Sequence, residues 1–195
     1  KNLIDQASIL SKALPFMQRY SGKNITIKFG GAVMGDLNLS SSFAKDIVLL
    51  KQVGINPVVV HGGGPKIKKM LDKLNVKSNF IDGLRVTDKE TMNIVEMVLS
   101  GSINKEIVME INKEGGRAIG LSGKDALLAE TKKIKINKSV NKVNDLGFVG
   151  EPKKINEDLL IWFLKSHFIP VISPIGFDKN HDTFNINADT MSGHV

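Results

Sequence analysis

Residues 57–65 read Pro57-Val58-Val59-Val60-His61-Gly62-Gly63-Gly64-Pro65, an apolar run followed at once by glycines. A continuous apolar run of this length is typical of a strand in a parallel sheet that is covered on both faces. Pro65 suits the first position of a helix, because the N–H that proline lacks would have no partner there. The stretch therefore predicts a buried parallel strand, a tight turn and a new helix.

A second strand with the same kind of ending lies upstream. Residues 25–29 are rich in β-branched side chains and run directly into Gly30-Gly31. Between the two strands, apolar residues recur at helical spacing up to Gly54, at Phe43, Ile47, Leu50 and Val53. This order predicts an α/β fold, with an open, mainly parallel central sheet and helices on both faces in a three-layer sandwich.

The alternation continues along the chain. Asp88 is a predicted N-cap for a helix that ends at Ser100-Gly101, and a second helix then runs to Gly115-Gly116. Short alternating segments between 127 and 150 predict a β-hairpin insertion. Further strands are predicted at 117–121, 169–172 and 183–186, and a further helix at 158–164.

The two ends of the chain carry expectations of their own. Apolar residues recur every three or four positions over 3–17, and Pro15 predicts a kink or break near Leu14. This N-terminal arm, residues 1–22, either packs on its own domain or docks on another subunit. Asn187–Thr190 predicts the start of a helix, and Val195 follows without a capping signal, so we expect a C-terminally truncated chain.

Composition excludes several classes of protein. The chain has 195 residues, no cysteine and a net charge of +7, and 42% of its residues are hydrophobic. The lack of cysteine excludes a disulfide scaffold, a zinc–cysteine site and a thiol nucleophile. No apolar run approaches the roughly 20 residues needed to cross a bilayer, and the polar start is unlike a signal peptide. We therefore expect a cytoplasmic protein with no membrane partner.

Neither a metal site nor a nucleic-acid surface is predicted. His61, His167, His181 and His194 lack the spacing of metal ligands. The basic run at 132–138 alternates charged and apolar residues, without aromatic side chains that could stack on bases. Such a run is typical of a solvated hairpin face. The net positive charge of the whole chain suits small anionic ligands as well as it suits nucleic acid.

The two glycine turns are candidate anion sites. Ligands of an open α/β sheet bind beyond the carboxyl ends of its strands. Glycine lets backbone N–H groups approach an anion, and a following helix adds the positive end of its dipole. Lys28 stands close enough to the first turn for its ammonium group to reach phosphate oxygens. The alternative is that the glycines only make tight turns, but His61–Gly64 beside a strand-end lysine favours anion binding.

The sequence does not contain the familiar motifs of phosphate-binding loops or of serine hydrolases. A P-loop ending at Gly123-Lys124 would need glycine at Ala118, and a dinucleotide fingerprint would need glycine at Ile67. His61–Gly64 also resembles the oxyanion loop of some hydrolases, but the chain contains no Gly-x-Ser-x-Gly nucleophile elbow. A hydrolase of that kind would therefore lack its nucleophile.

Two further positions could contact a substrate. Arg85, within Gly83–Thr87, has a planar fork that suits a carboxylate, although a surface ion pair is the simpler interpretation. Asn185, Asn187 and Asp189 alternate at a strand-to-helix junction. They could cap the helix, or present two amides and one carboxylate to a substrate and an ammonium group.

Four motifs together resemble the N-acetylglutamate kinases of the amino-acid kinase family. They are Lys28-Phe29-Gly30-Gly31, His61–Pro65, Gly83–Thr87 and Asn185–Asp189. The pairing of the second motif with the third is the most specific part of the resemblance, which runs from about Ser8 to the last residue. It implies transfer of the γ-phosphoryl group of ATP to the side-chain carboxylate of N-acetyl-L-glutamate, a step of arginine biosynthesis.

The resemblance also implies roles in phosphoryl transfer. Lys28 would stabilise the phosphoryl group in flight, and Asp189 would orient the catalytic lysines. Gly30 and Gly31 would lie against the phosphates of ATP, with Mg²⁺ carried by the nucleotide. A second catalytic lysine and most of the purine site would lie beyond the position that matches Val195, so residues 23–195 would form the acceptor lobe.

Roles in acceptor binding follow from the same resemblance. Gly63 and Gly64 would hold the substrate through backbone N–H groups, and Arg85 would clamp its α-carboxylate. Asn185 and Asn187 would bind the substrate as well.

The N-terminal arm resembles the extra helix that links dimers into a hexameric ring in arginine-inhibited family members. This implies a homo-oligomer, a dimer or a hexamer, with arginine as a candidate inhibitor. The chain departs from those members at Phe29 and Ala32-Val33, where they usually carry tyrosine and Asn-Ala. Two alternatives stay open: a kinase of an N-blocked aminoadipate, and a non-catalytic module that binds N-acetylglutamate or arginine.

Overall fold

The computed structural model describes residues 2–30, 37–138 and 142–195. The strands are β1 Asn24–Phe29, β2 Asn56–His61, β3 Phe80–Ile81, β4 Leu84–Arg85, β5 Ala118–Ser122, β6 Ala129–Lys138, β7 Lys142–Ile155, β8 Ile169–Ser173, β9 Ile175–Phe177 and β10 Thr183–Ile186. The α-helices are α1 Leu3–Tyr20, α2 Leu37–Gln52, α3 Gly64–Lys73, α4 Lys89–Glu96, α5 Asn104–Lys113, α6 Glu157–Lys165 and α7 Ala188–His194.

The central sheet is parallel, as predicted. Its strands lie in the order β1, β2, β8 and β5. The register pairs Lys28 with Val60 and Val59 with Val171. The carboxyl ends of β1 and β2 therefore lie side by side, and Gly30 and the glycine turn at 62–64 follow them at the same edge of the sheet.

Helices cover both faces of this sheet. Val59 and Val171 pack into a core with α2, α3, α4 and α5 on one face. Val58, Val60 and Ile172 pack with α6 and α7 on the other face. Burying one such side chain contributes about 1.5–3 kcal/mol, so the central strands are held from two sides. The predicted three-layer arrangement is confirmed.

The predicted hairpin insertion is formed by β6 and β7, which pair antiparallel. Together with β9 and β10 they close a small barrel. Strand β10 pairs with β7 in parallel and with β9 antiparallel, and it leads directly into α7. Helix α7 contacts β1 and β2, so the end of β10 lies near the edge of the sheet where β1 and β2 end.

Two predicted helix interruptions, a break near Leu14 and an end at Ser100-Gly101, are wrong. Helix α1 continues through Pro15 to Tyr20, and none of its side chains is buried. In an exposed helix, water can bind the carbonyl that loses its N–H partner to proline. Ser100-Gly101 does not end a helix either, because α4 continues through a π-helical segment, Met97–Ile103, into α5. Glycine costs a helix about 1 kcal/mol, and burial of Val98, Leu99 and Ile103 offsets that cost.

Other local predictions hold. Asp88 caps α4, since its Oδ1 accepts a hydrogen bond from the Thr91 N–H at 2.8 Å. Gly54 follows α2 with a φ of +90°, a conformation that glycine adopts without strain. Across residues 2–30, 37–138 and 142–195, no helix combines the length and the apolar character needed to cross a membrane.

Candidate functional site

A cavity of about 280 Å³ opens where β1, β2 and β10 end. Most of the site residues predicted from the sequence line it: Lys28, Gly63, Gly64, Arg85, Asn185, Asn187 and Asp189. Gly30 lies beside the Lys28 side chain. Gly31 and Ala32-Val33 lie outside the described residues. The fold thus brings four distant sequence motifs to one place.

An ion pair joins the end of β1 to the start of α7. Lys28 Nζ lies 3.0 Å from Asp189 Oδ1, and the two side chains are 38% and 71% exposed. An ion pair this exposed adds little to stability, but it fixes the direction of the ammonium group. A Cβ placed on Gly30 would lie 3.6 Å from Lys28 Nζ, so the cation lies over bare backbone. This arrangement suits a phosphoryl group.

The turn between β2 and α3 offers backbone N–H groups to the cavity. Helix α3 begins at Gly64, and the first N–H groups of a helix have no partner within the helix. A Cβ on Gly64 would meet no atom within 4 Å, so the space above this residue is open to a ligand. Because the helix dipole is positive at this end, the turn suits an anion.

The lack of a side chain at Gly63 matters for packing rather than for ligand access. A Cβ at this position would lie 2.5 Å from Ile103 Cδ1 and 2.6 Å from Leu99 Cδ2. Both contacts come from the π-helical segment Met97–Ile103. Glycine therefore allows the turn to pack directly on that segment.

Arg85 lines the cavity although the residue is only 6% exposed. Its guanidinium donates hydrogen bonds to Ser78 Oγ and, at 3.3 Å, to the Gly64 carbonyl. The group also lies 4.5 Å from the centre of the Phe80 ring. Burial lowers the pKa of Arg85, although the charge of Asp72 opposes the shift, and arginine stays charged in proteins. A cation held beside the glycine turn suits a carboxylate ligand.

The backbone that carries Arg85 is tied to the barrel. Thr87 Oγ1 donates to the Arg85 carbonyl at 2.8 Å, and the Thr87 N–H donates to the Leu146 carbonyl at 2.9 Å. Gly147 has a φ of +73°, and a Cβ there would lie 2.1 Å from the Thr87 carbonyl oxygen. The position of Arg85 therefore depends on a glycine in the hairpin insertion.

The asparagines at the end of β10 differ in their contacts. Asn187 caps α7, because its Oδ1 accepts hydrogen bonds from the N–H groups of Asp189 at 2.8 Å and Thr190 at 3.1 Å. The capping interpretation of Asn187 is confirmed, and the residue also lines the cavity. Asn185 is half-buried in β10 and lines the same cavity.

Candidate groups for a phosphate are Lys28, Gly30 and the glycine turn at the start of α3. Among the side chains in the described ranges, no three of His, Asp or Glu lie close enough together to hold a metal ion.

Two polar residues are buried beneath the glycine turn, and the sequence singles out His61 only as part of the His61–Gly64 motif and does not single out Asn104. His61 and Asn104 are both fully buried, and His61 Nε2 lies 3.2 Å from Asn104 Nδ2. The place of His61 directly before the glycines is a sequence signal that it supports the turn. Asn104 lies in a helix whose sequence has no feature that distinguishes it from a surface asparagine.

The chain is similar to curated proteins named acetylglutamate kinase. It is 54% identical to the one from Parvibaculum lavamentivorans over 98% of this chain and 65% of that protein. It is 56% identical to the one from Rhodospirillum centenum, over 97% of this chain and 64% of that protein. It is also 56% identical to the Rhodospirillum rubrum protein, over 97% and 63%. The chain therefore spans 63–65% of the length of these relatives.

Solved structures share the fold. The protein smu.665 from Streptococcus mutans superposes with a TM-score of 0.76 at 29% identity, over 88% of this chain and 66% of that one. N-acetylglutamate synthase from Neisseria gonorrhoeae superposes with a TM-score of 0.79 over 96% and 41%, and at 18% identity this likeness concerns the fold alone. The model of the amino acid kinase family matches residues 23–195. This chain therefore belongs to the amino acid kinase family.

Proposed function

We propose that the protein containing this chain transfers the γ-phosphoryl group of ATP to the side-chain carboxylate of N-acetyl-L-glutamate, giving N-acetyl-L-glutamyl 5-phosphate. The observation that carries this proposal is that Lys28, the glycine turn and Arg85 line one cavity. Two separate cations and a set of backbone N–H groups suit a reaction between two anions. The names of the relatives at 54–56% identity support the choice of acceptor.

The acceptor binds at the Arg85 side of the cavity. The fork of Arg85 pairs with the α-carboxylate of N-acetyl-L-glutamate, because guanidinium and carboxylate match in two parallel hydrogen bonds. The remaining polar groups of N-acetyl-L-glutamate bind to the backbone N–H groups of Gly63 and Gly64 and to the side-chain amides of Asn185 and Asn187. Since Arg85 already touches the Gly64 carbonyl, the clamp and the turn act as one unit.

The transfer step needs charge neutralisation rather than a base. The acceptor carboxylate has a pKa of about 4.3, so it is already ionised at neutral pH. It attacks the γ-phosphorus of ATP as the bond to the β-phosphate oxygen breaks, with ADP as the leaving group. Lys28 offsets the charge that spreads over the phosphoryl oxygens, and Asp189 keeps the ammonium group in place. Holding the two anions in line adds to the acceleration.

The cofactor in this proposal is Mg²⁺ that enters with ATP. When bound, it supplies further positive charge to the phosphate oxygens. Gly30, which lies under the Lys28 ammonium group, lets the phosphates approach the backbone.

Helix α1 is proposed to dock on a second copy of the chain. Its exposed apolar side chains are Leu3, Ile4, Ile9, Leu10, Leu14 and Phe16. Leu3, Leu10 and Leu14 recur at helical spacing on one face, and an apolar face that the rest of the chain leaves uncovered is suited to a protein interface. In this proposal the arm links subunits into a homo-oligomer, and arginine acts as an inhibitor as in the family members that carry such an arm. Light scattering of the wild type and of Leu10→Glu tests whether the arm links subunits. Assays with added arginine test whether arginine inhibits.

A coupled assay for ADP tests the proposed reaction in the full-length protein. We expect turnover with N-acetyl-L-glutamate and little with glutamate, aspartate or N-acetylated aminoadipate. Faster turnover with the aminoadipate would identify the lysine-pathway alternative. Calorimetry separates the non-catalytic alternative, because a binding module would bind N-acetyl-L-glutamate yet release no ADP.

A further inference from the structure

A buried hydrogen-bond network connects the glycine turn to the core. His61 Nδ1 lies 2.9 Å from the Gly62 carbonyl oxygen, and His61 Nε2 lies 3.2 Å from Asn104 Nδ2. Both side chains are inaccessible to solvent. A buried network is stable only when its donors and acceptors match, so the protonation of the ring can be derived from its neighbours.

The neighbours of Asn104 fix the direction of its amide. Asn104 Nδ2 donates to the Val171 carbonyl at 2.8 Å, and Asn104 Oδ1 accepts from Lys105 Nζ at 3.1 Å. The reverse orientation would place Asn104 Oδ1 against the Val171 carbonyl oxygen, and two acceptors cannot form a hydrogen bond with each other. Asn104 therefore presents an N–H to His61 Nε2, which must accept it, and the ring proton lies on Nδ1.

The ring is also neutral. Burial lowers the pKa of His61 to about 4, against the hydrogen bond to Gly62, which raises it. The Lys105 ammonium group, the charged neighbour of the network, lowers the pKa further. A neutral ring with its proton on Nδ1 donates to the Gly62 carbonyl.

Gly62 is held from two directions. Its N–H donates to the Phe29 carbonyl at 2.9 Å, and its carbonyl accepts from His61. The peptide bonds of the described residues are trans, so the Gly63 N–H points away from the Gly62 carbonyl and hence away from His61. Gly62, Gly63 and Gly64 line the cavity, and the buried His61 does not.

We propose that His61 and Asn104 are positioning residues for acceptor binding: Asn104 holds the His61 ring as the Nδ1–H tautomer, and the ring holds the Gly62–Gly63 peptide so that the Gly63 N–H faces the acceptor. This proposal rests on the proposed function, which supplies the acceptor. Neither residue touches the substrate, so both act through the turn.

Kinetics of the full-length enzyme test the proposal. In His61→Leu and Asn104→Leu, we expect the KM for N-acetyl-L-glutamate to rise about five- to tenfold, as for one lost hydrogen bond, while kcat changes less. His61→Asn places an amide N–H near the position of Nδ1 and is expected to stay within about twofold of the wild-type KM. Thr131→Val removes a buried hydrogen bond elsewhere in the fold, from Thr131 Oγ1 to the Ala129 carbonyl, and is the control that leaves KM unchanged. Equal KM values in the wild type and His61→Leu would overturn the proposal.

Nitrogen NMR of ¹⁵N-histidine-labelled protein tests the tautomer without turnover. The His61 signals, assigned by their absence in His61→Asn, should show a protonated Nδ1 and an unprotonated Nε2 at neutral pH. In Asn104→Leu this preference should weaken. A protonated Nε2 in the wild type would overturn the proposal, even if the variants fold poorly. A wild type that shows this tautomer but does not phosphorylate N-acetyl-L-glutamate would overturn the proposed function and, with it, the role in acceptor binding.

Discussion

Lys28 Nζ and Asp189 Oδ1 lie 3.0 Å apart and join the end of β1 to the first turn of α7. Most of the sequence separates these two residues, yet both lie beside the glycine turn in one cavity. Because both side chains are substantially exposed, the ion pair orients the ammonium group more than it stabilises the fold.

Lys28→Arg should therefore lower kcat with little change in stability. Arginine keeps the charge but spreads it over a larger planar group, which misplaces the cation at the phosphoryl group. We expect a loss of about 10²–10³ in kcat and a much smaller change in the KM for N-acetyl-L-glutamate. Lys124→Arg is the matched control, because Lys124 forms a surface ion pair with Glu96 at 2.8 Å. Unchanged kcat in Lys28→Arg would show that Lys28 lies outside the reaction.

Arg85→Lys should act mainly on the binding of the acceptor. Lysine cannot form two parallel hydrogen bonds to a carboxylate, and it also loses the stacking on Phe80. We expect the KM for N-acetyl-L-glutamate to rise about 10- to 100-fold, as for the loss of a hydrogen bond between charged groups, with the KM for ATP nearly unchanged. A larger effect on ATP than on the acceptor would place Arg85 on the nucleotide side.

The adjacent glycines of the turn should respond differently to alanine. In Gly63→Ala, the new Cβ would lie 2.5 Å from Ile103 Cδ1, and forcing the two apart should cost about 1–3 kcal/mol. Gly64→Ala meets no atom within 4 Å, so its free energy of unfolding should stay within about 0.5 kcal/mol of the wild type. It should still raise the KM for the acceptor, because the Cβ occupies space above the turn. Urea unfolding measures the difference, and equal destabilisation of the two variants would contradict the packing described here.

The contrast between these glycines shows how much of the site can be predicted from the sequence alone. The apolar run at 57–60 predicts a doubly covered parallel strand, and the glycines predict a turn at its end, because both signals are local. That Lys28 and Arg85 serve one site is implied only by the resemblance to the N-acetylglutamate kinases, because the local pattern around Arg85 favours a surface ion pair. The sequence does not show that Gly63 packs on Ile103, since that contact depends on a π-helical segment.

Buried polar contacts are the other part that sequence patterns miss. Asn104 bonds to His61 and to the Val171 carbonyl, but an asparagine in a helix has the same local pattern whether it is buried or exposed. The predicted break at Pro15 fails for a related reason. Whether proline ends a helix depends on what the freed carbonyl can bind, and because no residue of α1 is buried, solvent can reach that carbonyl.

His61 should make stability depend on pH. Its pKa is about 4 in the folded protein, against 6.5 for an exposed histidine, so the unfolded chain takes up a proton first as the pH falls. Above pH 6.5 the residue has no effect, and from 6.5 down to about 4 its contribution lowers the free energy of unfolding progressively. Between neutral pH and about pH 5, the wild type should lose about 2 kcal/mol more than His61→Asn. Urea titrations at both pH values measure this, and parallel losses in the two proteins would show that His61 is not buried as a neutral ring.

Hydroxylamine trapping tests the central claim most directly, because an acyl phosphate reacts with hydroxylamine to give a hydroxamate. The full-length protein, incubated with ATP, Mg²⁺, N-acetyl-L-glutamate and hydroxylamine, should form N-acetylglutamyl hydroxamate in step with ADP, and Lys28→Arg should form far less of both. Release of ADP without hydroxamate, or hydroxamate formation that is unaffected in Lys28→Arg, would contradict phosphoryl transfer to the carboxylate at this cavity.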